Sequence, residues 1–249
     1  MTDDSPRLDL RGKRALVTGG ARGLGEAVCR RLAEAGAELL VADVRQDLAE
    51  VLCKELENGG ARARYAHLDV RDPERVAEVF RELDEAGEPV HILVNCAAVD
   101  VSKAVEHLTA DEVTRVVTTN LLGPMYLCLE AYRRMVAAGG GHIVNILSTA
   151  ANRTWTEAGP YSASKSGLRA FTHTLFKEAQ RDCLGIGITG VIAGGMETPF
   201  ITDRFPDTDV SLLQSPGIVA DTVLYALSVP AGSSVPEVVV VPRRESSWP

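Results

Sequence analysis

The chain of 249 residues has few cysteines, few aromatic residues and no excess of positive charge. Its cysteines are odd in number, widely spaced and without a Cys-x-x-Cys pair, which disfavours both a disulfide framework and a zinc site. They are Cys29, Cys53, Cys96, Cys128 and Cys183. We interpret them as small buried apolar residues of a reduced, cytoplasmic protein, and we expect no metal.

Basic charge and long hydrophobic runs are also missing. The 34 acidic residues outnumber the 26 basic ones, so we expect no nucleic-acid partner. No apolar run approaches the roughly 18 residues that span a bilayer. Since the acidic start of the chain is not followed by an apolar segment, we expect neither a signal peptide nor a membrane partner. With 45% hydrophobic and 24% charged residues, the composition is that of a globular protein with a large core.

Short β-branched apolar runs alternate along the chain with longer segments of helical spacing. The runs predict seven strands at 14–18, 38–43, 62–67, 91–95, 142–147, 186–192 and 237–241. The spacing predicts six helices at about 24–35, 46–57, 73–86, 109–137, 160–182 and 216–228. Because several strands are continuously apolar, we expect helices on both of their faces.

This pattern predicts an α/β fold: a doubly wound, parallel, seven-stranded sheet in a single domain spanning residues 1–249. A (β/α)8 barrel stays open at this stage, because it would need only one further strand. Residues 194–214 show no clear periodicity and are long for a connection, so we predict a substrate lid there.

A glycine-rich turn, Gly-x-x-x-Gly-x-Gly, joins the first strand to the first helix at residues 19–25. Glycines let the backbone approach a pyrophosphate, whose charge the helix N-terminus stabilises. The turn lacks the Lys-Ser/Thr ending of a nucleoside triphosphate loop, which disfavours ATP hydrolysis. A tight turn without a ligand is the alternative.

Two acidic residues end the next strands. Asp43 can accept hydrogen bonds from an adenosine ribose and would repel a 2′-phosphate, which favours NAD over NADP. The alternative is a cap for the next helix, and the nearby Arg22 and Arg45 keep NADP open. Asp69 is expected either beside the adenine or as the cap of the helix that begins near Pro73.

Tyr161 and Lys165 are four residues apart in a helical segment, which places both on one helix face. A neighbouring cation favours the phenolate and lowers the pKa of a tyrosine, so the pair can act as an acid–base device. The same spacing also occurs by chance on helix surfaces. Ser148 adds a hydroxyl at the carboxyl edge of the sheet, where open α/β folds bind ligands.

With Asn95-Cys96-Ala97-Ala98 after the fourth strand and Asn120 in the next helix, these motifs follow the order of a known family. From about residue 10 to residue 198 the chain resembles the short-chain dehydrogenase/reductase family. The resemblance implies a Rossmann-type fold, an NAD(P)-dependent oxidoreductase, no catalytic metal, and a homodimer or homotetramer that uses helices 109–137 and 160–182. The expected substrate is a secondary alcohol or ketone, with a hydroxy or oxo acid as one option.

The resemblance also implies residue roles. Tyr161 would be the general acid or base, Lys165 would lower its pKa and bind the nicotinamide ribose, and Ser148 would hydrogen-bond the substrate oxygen. Asn120 would hold a water in a proton relay. The implied cofactor-binding residues are Gly19, Arg22, Gly23, Leu24, Gly25, Asp43, Asp69, Asn95, Ala97, Tyr161, Lys165 and Thr198.

The chain departs from the family pattern after the sixth strand, where the common Pro-Gly reads Ala193-Gly194-Gly195 and leaves the turn before Thr198 less rigid.

The tail, residues 235–244, is similar to that of a subgroup acting on serine and 3-hydroxy acids. Arg153, shortly after Ser148, and Arg204, in the lid, are candidates to bind a carboxylate, and the alternative is that both are solvated surface residues. A non-catalytic NAD(P)-binding redox sensor is the alternative function. A sugar epimerase would need a larger substrate domain.

Overall fold

A computed structural model of the chain describes residues 8–182, 185–230 and 232–248, so Cys183 lies outside the described residues. All seven expected strands are present, each within one residue of its expected bounds at either end. They are β1 (Arg14–Thr18), β2 (Glu38–Asp43), β3 (Ala63–His67), β4 (Ile92–Asn95), β5 (Gly141–Ser148), β6 (Ile186–Ala193) and β7 (Glu237–Val240).

The expected helices are also present, and one of them is interrupted. The described α-helices are α1 (Gly23–Glu34), α2 (Gln46–Asn58), α3 (Pro73–Glu85), α4 (Ala110–Val117), α5 (Gly123–Ala138), α6 (Gly159–Arg181), α7 (Pro199–Thr202) and α8 (Pro216–Ser228). A π-helical turn, Thr118–Leu122, separates α4 from α5 inside the stretch expected to be one helix. Such a turn inserts a bulge into a helix and often marks a functional position.

Local sequence signals set several helix ends. The side chain of Asp72 accepts hydrogen bonds from the N–H groups of Glu74 and Arg75, and Pro73 occupies the first position of α3. A reciprocal capping box between Thr109 and Glu112 begins α4.

The sheet has the strand order β3-β2-β1-β4-β5-β6-β7, and all neighbouring strands are parallel. The chain moves outward from β1 to β3 and then returns to place β4 on the other side of β1. This reversal opens a crevice at the carboxyl ends of β1 and β4, where open α/β sheets bind ligands. The doubly wound Rossmann-type fold is confirmed, and the barrel is excluded because the sheet is open.

Two apolar layers cover the sheet. In β1, Ala15 and Val17 pack in one cluster, with Val28 of α1, while Leu16 packs in the other, with Phe80 of α3. Successive strand residues point to opposite faces, so a strand covered on both faces is apolar throughout. In the described part of the chain, no helix combines the length and the apolar character needed to cross a bilayer.

Candidate active site

The glycine turn after β1 packs so tightly that side chains would not fit. A Cβ atom on Gly19 would lie 2.7 Å from the Cα of Ala97, and one on Gly25 would lie 2.0 Å from the carbonyl oxygen of Gly19. Gly23, the first residue of α1, has a φ of +59°, which glycine adopts without strain. The turn therefore brings bare backbone to the mouth of the crevice.

The N-terminus of α1 begins at this turn. Its cap residue, Arg22, makes no capping hydrogen bond with its side chain, so the first N–H groups of the helix lack a side-chain acceptor. Such a terminus stabilises an anion. Together with the close-packed glycines, this arrangement fits the pyrophosphate of a dinucleotide cofactor.

A cavity of about 1060 Å³ extends along the carboxyl ends of the strands from Asp43 and Asp69 to Tyr161. All but two of the site residues expected from the sequence line it. Those lining residues are Gly19, Arg22, Gly23, Leu24, Gly25, Asp43, Asp69, Ala97, Ser148, Tyr161, Lys165 and Thr198. The two exceptions, Asn95 and Asn120, are buried and do not line the cavity.

Asp43 links the end of β2 to the glycine turn. Its Oδ2 accepts a hydrogen bond from the N–H of Ala21 at 3.0 Å, and its Oδ1 accepts one from the N–H of Arg45 at 2.9 Å. Arg45 is the cap residue of α2 and no side-chain cap is present there, so the capping alternative for Asp43 is wrong. The carboxylate is 9% exposed and lines the cavity.

Asp69 also lines the cavity but is bound to a neighbouring arginine. Its two carboxylate oxygens accept hydrogen bonds from the Nε of Arg71 at 2.9 and 3.0 Å, which lowers the pKa of Asp69. Because Asp72 caps α3, the capping alternative for Asp69 is wrong.

Ser148, Tyr161 and Lys165 come together at the end of β5. Ser148 is the last residue of that strand, and its side chain is close enough to the phenol of Tyr161, in the first turn of α6, to lower the pKa of that phenol. Lys165, one helical turn further on, donates from Nζ to the carbonyl of Ile146 at 2.8 Å. Its Nζ lies 5.8 Å from the centroid of the Tyr161 ring. The expected juxtaposition is present in the structure.

Burial controls the pKa values of this pair. It raises the pKa of Tyr161 to about 12, although the hydrogen bond with Ser148 acts in the lowering direction. Burial also lowers the pKa of Lys165 to about 8. Loss of solvent thus outweighs the hydrogen bond with Ser148 in the protein without ligand, and the lowering of the tyrosine pKa by Lys165 stays a prediction.

Asn120 lies in the π-helical turn, fully buried. Its Oδ1 accepts from the N–H of Val99 at 2.8 Å, and its Nδ2 donates to the carbonyl of Val99 at 2.7 Å. The Nδ2 also lies 3.3 Å from the hydroxyl of Ser164. The side chain thus ties the loop after β4 to the helix and does not line the cavity.

Asn95 belongs to a polar chain inside the sheet. Its Nδ2 donates to the Oδ1 of Asn145 on β5 at 2.7 Å, and Asn145 donates in turn to the hydroxyl of Thr172 on α6 at 2.9 Å. All three residues are buried. Asn95 therefore joins β4, β5 and α6. Ala97 lines the cavity, and its N–H lies 3.4 Å from the hydroxyl of Thr18.

Residues 194–214 lie against the tyrosine. The ring of Phe200 is 5.9 Å from that of Tyr161, centroid to centroid. Arg204 forms an ion pair with Asp100, and its Nε donates to the carbonyl of Phe200 at 2.8 Å. The guanidinium lies 4.3 Å from the centroid of Phe200. Arg204 lines the cavity as the partner of Asp100, and the binding of a substrate carboxylate by Arg204 stays a prediction.

The segment after β7 also reaches the cavity, which the sequence did not indicate. Glu245 and Ser247 line it, and the carboxylate of Glu245 accepts from the N–H of Gly195 at 2.8 Å. No motif marks these residues. Asp100 was missed for the same reason, since it lies in a loop without periodicity and meets its partner from a distant segment.

The chain belongs to the short-chain dehydrogenase family, because residues 13–209 match the family model described as short chain dehydrogenase. It is therefore an oxidoreductase of a family that binds nicotinamide cofactors. An uncharacterized oxidoreductase of Thermotoga maritima is 35% identical over 190 residues, which cover 76% of this chain and 73% of the relative.

Solved structures show the same fold. An alcohol dehydrogenase of the archaeon Thermococcus sibiricus, complexed with 5-hydroxy-NADP, is 26% identical with a TM-score of 0.85, covering 94% of this chain and 97% of its own. A gluconate 5-dehydrogenase of Burkholderia cenocepacia, in complex with NADP and tartrate, is 25% identical with a TM-score of 0.84. That match covers 94% of this chain and 95% of the other.

Proposed function

We propose that the protein is an NAD(P)-dependent dehydrogenase or reductase that interconverts secondary alcohols and ketones, with Tyr161 as general acid or base. The observation that carries this proposal is the meeting of Ser148, Tyr161 and Lys165 on the cavity that the glycine turn also lines. Nucleotide binding and proton transfer can then take place in one cavity.

The chain's own residues would hold the cofactor at both ends of the cavity. When bound, the nicotinamide group supplies or accepts the hydride. The glycine turn and the N-terminus of α1 would bind the pyrophosphate, Asp43 the adenosine ribose and Asp69 the adenine side. Lys165 would bind the nicotinamide ribose and Thr198 the carboxamide.

Tyr161 would move the proton. Its raised pKa keeps the phenol protonated at neutral pH, so the hydroxyl is ready to donate to a carbonyl oxygen during reduction. In the opposite direction the phenolate form of Tyr161, which has lost its proton, would accept the proton of an alcohol. Ser148 would hydrogen-bond the substrate oxygen beside it. Asn120 holds the loop after β4, which lines part of the cavity. Its proposed role is to hold a water in a proton relay.

The proposed cofactor is NAD rather than NADP. The buried carboxylate of Asp43 lines the part of the cavity proposed to hold the adenosine ribose, and a like-charge contact there would disfavour a 2′-phosphate. Arg22 and Arg45, which could offset it, already form ion pairs with Asp203 and Asp47. The two solved relatives hold NADP or its 5-hydroxy derivative, so cofactor preference is a direct test of this chain's own residues.

A hydroxy acid or oxo acid is one proposed substrate class. Arg153 is exposed, lines the cavity and pairs with no acidic side chain among the described residues. A free guanidinium suits a carboxylate. Replacing Arg153 by Leu should raise KM for such an acid by about tenfold or more and leave neutral ketones unaffected. An equal KM for the acid in both proteins would restrict the proposal to uncharged substrates.

The experiment that tests the function is a panel of alcohols, hydroxy acids and ketones assayed with NAD(H) and NADP(H) by the absorbance of the reduced cofactor. Turnover of any member supports the proposal. A protein that binds the nucleotide tightly and turns over none of the panel would favour the alternative, a redox sensor. The positions of Ser148, Tyr161 and Lys165 favour the enzyme.

We also propose a homodimer or homotetramer working in the cytoplasm. Exposed apolar side chains on α4 and α5, namely Val113, Leu129 and Val136, support an interface along the interrupted helix. The four described cysteines are free, which agrees with a reducing compartment. Light scattering in solution tests the assembly, and a monomeric mass would contradict it.

A further inference from the structure

The segment after β7, residues 241–248, returns across the carboxyl ends of the central strands. Glu245 is its main polar contact. Its Oε2 accepts the N–H of Gly195, in the turn after β6, at 2.8 Å. Its Oε1 lies 3.1 Å from the N–H of Ser247 and 2.7 Å from the Ser247 hydroxyl. The carboxylate therefore binds both the turn and its own segment.

A second contact continues from Ser247 to the other side of the site. Its hydroxyl lies 2.7 Å from the hydroxyl of Thr149, the residue that follows Ser148. A carboxylate can only accept, so the single proton of the Ser247 hydroxyl is directed to Glu245, and the Thr149 hydroxyl donates to Ser247. One continuous set of hydrogen bonds thus connects Gly195 at the end of β6 with Thr149 at the end of β5.

The segment after β7 also packs closely against the turn after β6. A Cβ atom on Gly194 would lie 2.6 Å from the Oε2 of Glu245 and 2.7 Å from the Cδ of Pro242. Trp248 packs on the apolar cluster that includes Leu147 of β5 and Ile192 of β6, which anchors the segment beyond Glu245. The bare backbone at Gly194 leaves room for the carboxylate and for the segment that carries it.

The charge on Glu245 is met by hydrogen-bond donors and not by a cation. Burial raises its pKa, but the donors from Ser247 and Gly195 outweigh burial and leave the pKa below its ordinary value. No basic side chain forms an ion pair with Glu245 in the part of the chain that the structure describes. An ionised carboxylate is the stronger acceptor, so each of these hydrogen bonds is charge-assisted.

We propose that Glu245 is a positioning residue of the site. Its carboxylate holds the Gly194–Gly195 turn and, through Ser247, keeps that turn at a fixed distance from Thr149. The turn leads to Thr198, and Thr149 adjoins Ser148, so one side chain sets the spacing between the two walls of the cavity. This inference rests on the proposed function for its binding readout. The turn lacks the proline common in the family, and the Glu245 contact supplies the missing restraint.

The first measurement is the Kd for NADH, by fluorescence titration, of the wild type and of Glu245→Ala and Glu245→Gln. Losing charge-assisted hydrogen bonds should raise the Kd of Glu245→Ala by about tenfold or more. Glu245→Gln keeps one acceptor oxygen and should fall between the two. Glu197→Gln is the matched control, because this exposed carboxylate is in the same segment and has no side-chain partner among the described residues.

The second measurement is amide hydrogen exchange without nucleotide. Glu245→Ala should exchange faster at Gly195, while the amides of β6 keep their wild-type rates. A general loss of stability would instead accelerate both. A wild-type Kd together with a wild-type exchange rate at Gly195 would overturn the proposal. If the wild type binds neither NADH nor NADPH, the proposed function fails, and the exchange rate at Gly195 still decides whether Glu245 holds the turn.

Ser247→Ala is the second variant, should Glu245→Ala not fold. It leaves the carboxylate in place and removes the hydroxyl that joins Glu245 to Thr149. We expect a Kd for NADH raised about threefold to tenfold, the effect of one ordinary hydrogen bond. An unchanged Kd would show that the connection to Thr149 does not matter for the site.

Discussion

The Nζ of Lys165 lies 5.8 Å from the centroid of the Tyr161 ring, one turn along the same helix. Both side chains are almost fully buried, at 3% and 9% exposure. Their burial disfavours the charged form of each, so the pKa of the lysine falls and that of the tyrosine rises. Near neutral pH the phenol is uncharged in both the folded and the unfolded chain, so of the two only the buried lysine lowers the free energy of unfolding.

Replacing Tyr161 by Phe should abolish most of the turnover and leave nucleotide affinity near wild type. The change removes one hydroxyl, and loss of a general acid or base lowers turnover by roughly 10²–10⁴-fold. Steady-state rates and the Kd for NADH measure the two effects. The matched control is Tyr132→Phe, which removes a buried hydroxyl that lies in α5 and has no hydrogen-bond partner among the residues that the structure describes. A Tyr161→Phe protein that keeps most of its activity would contradict the mechanism.

The stability of the protein should depend on pH through Lys165. The unfolded chain keeps the lysine proton up to pH 10.5, whereas the folded chain releases it near pH 8. Because the unfolded state binds more protons in this window, the Lys165 contribution to the free energy of unfolding increases as the pH rises from 8 to 10.5. Tyr161, whose pKa rises from 10.0 to about 12, acts in the opposite direction above pH 10.

Comparison of the wild type with Lys165→Met isolates the contribution of Lys165 to the free energy of unfolding. Between pH 8 and pH 10.5 the free energy of unfolding of the wild type, relative to the variant, should increase by about 3 kcal/mol for a pKa lowered from 10.5 to about 8. Denaturant titrations at the two pH values measure it. A difference between the two proteins that does not change with pH would show that the lysine is not desolvated as the structure indicates.

Asp43 should control the choice of cofactor. Asp43→Asn removes the charge but keeps an oxygen that can accept from Ala21, so kcat/KM for NADP should rise at least tenfold relative to NAD, about 1.4 kcal/mol. Asp43→Ser shortens the side chain and should also weaken NAD binding, because the anchor of the glycine turn is lost. Equal kcat/KM values for NAD and NADP in the wild type would refute the argument.

The ion pair between Arg204 and Asp100 should hold residues 194–214 against Tyr161. Asp100 is 9% exposed at its side chain and Arg204 is 24% exposed. Asp100→Asn should therefore increase the rate of proteolysis within 194–214 and raise the KM for the substrate. In the double variant Asp100→Asn/Arg204→Met, the changes in proteolysis rate and in KM should be smaller than the sum of the changes in the two single variants.

The exposed pair between Arg22 and Asp203 is the control for this experiment. Its side chains are 45% and 58% exposed, so Asp203→Asn should change stability by only about 0–1 kcal/mol. If Asp203→Asn and Asp100→Asn had equal effects, burial would not explain the importance of the ion pair between Arg204 and Asp100.

The sequence by itself determined the elements and the motifs. Strand β2 was predicted at its observed bounds, 38–43, because a run of β-branched and apolar residues between polar ends is a local signal. The Tyr161–Lys165 pair was predicted because helical periodicity alone places both on one face. Signals of this kind lie within a few residues of each other in the chain, so they can be read before the fold is known.

Tertiary structure decided which distant groups meet. Asp43 reaches the N–H of Ala21, Arg204 reaches Asp100, and Glu245 reaches Gly195, and each pair joins segments separated along the chain. No periodicity encodes such contacts, since they depend on the strand order and on the path of the loops between strands. The pKa values followed the same rule: the spacing in α6 predicted the neighbour of Tyr161, but only packing determined how far solvent is excluded from its ring.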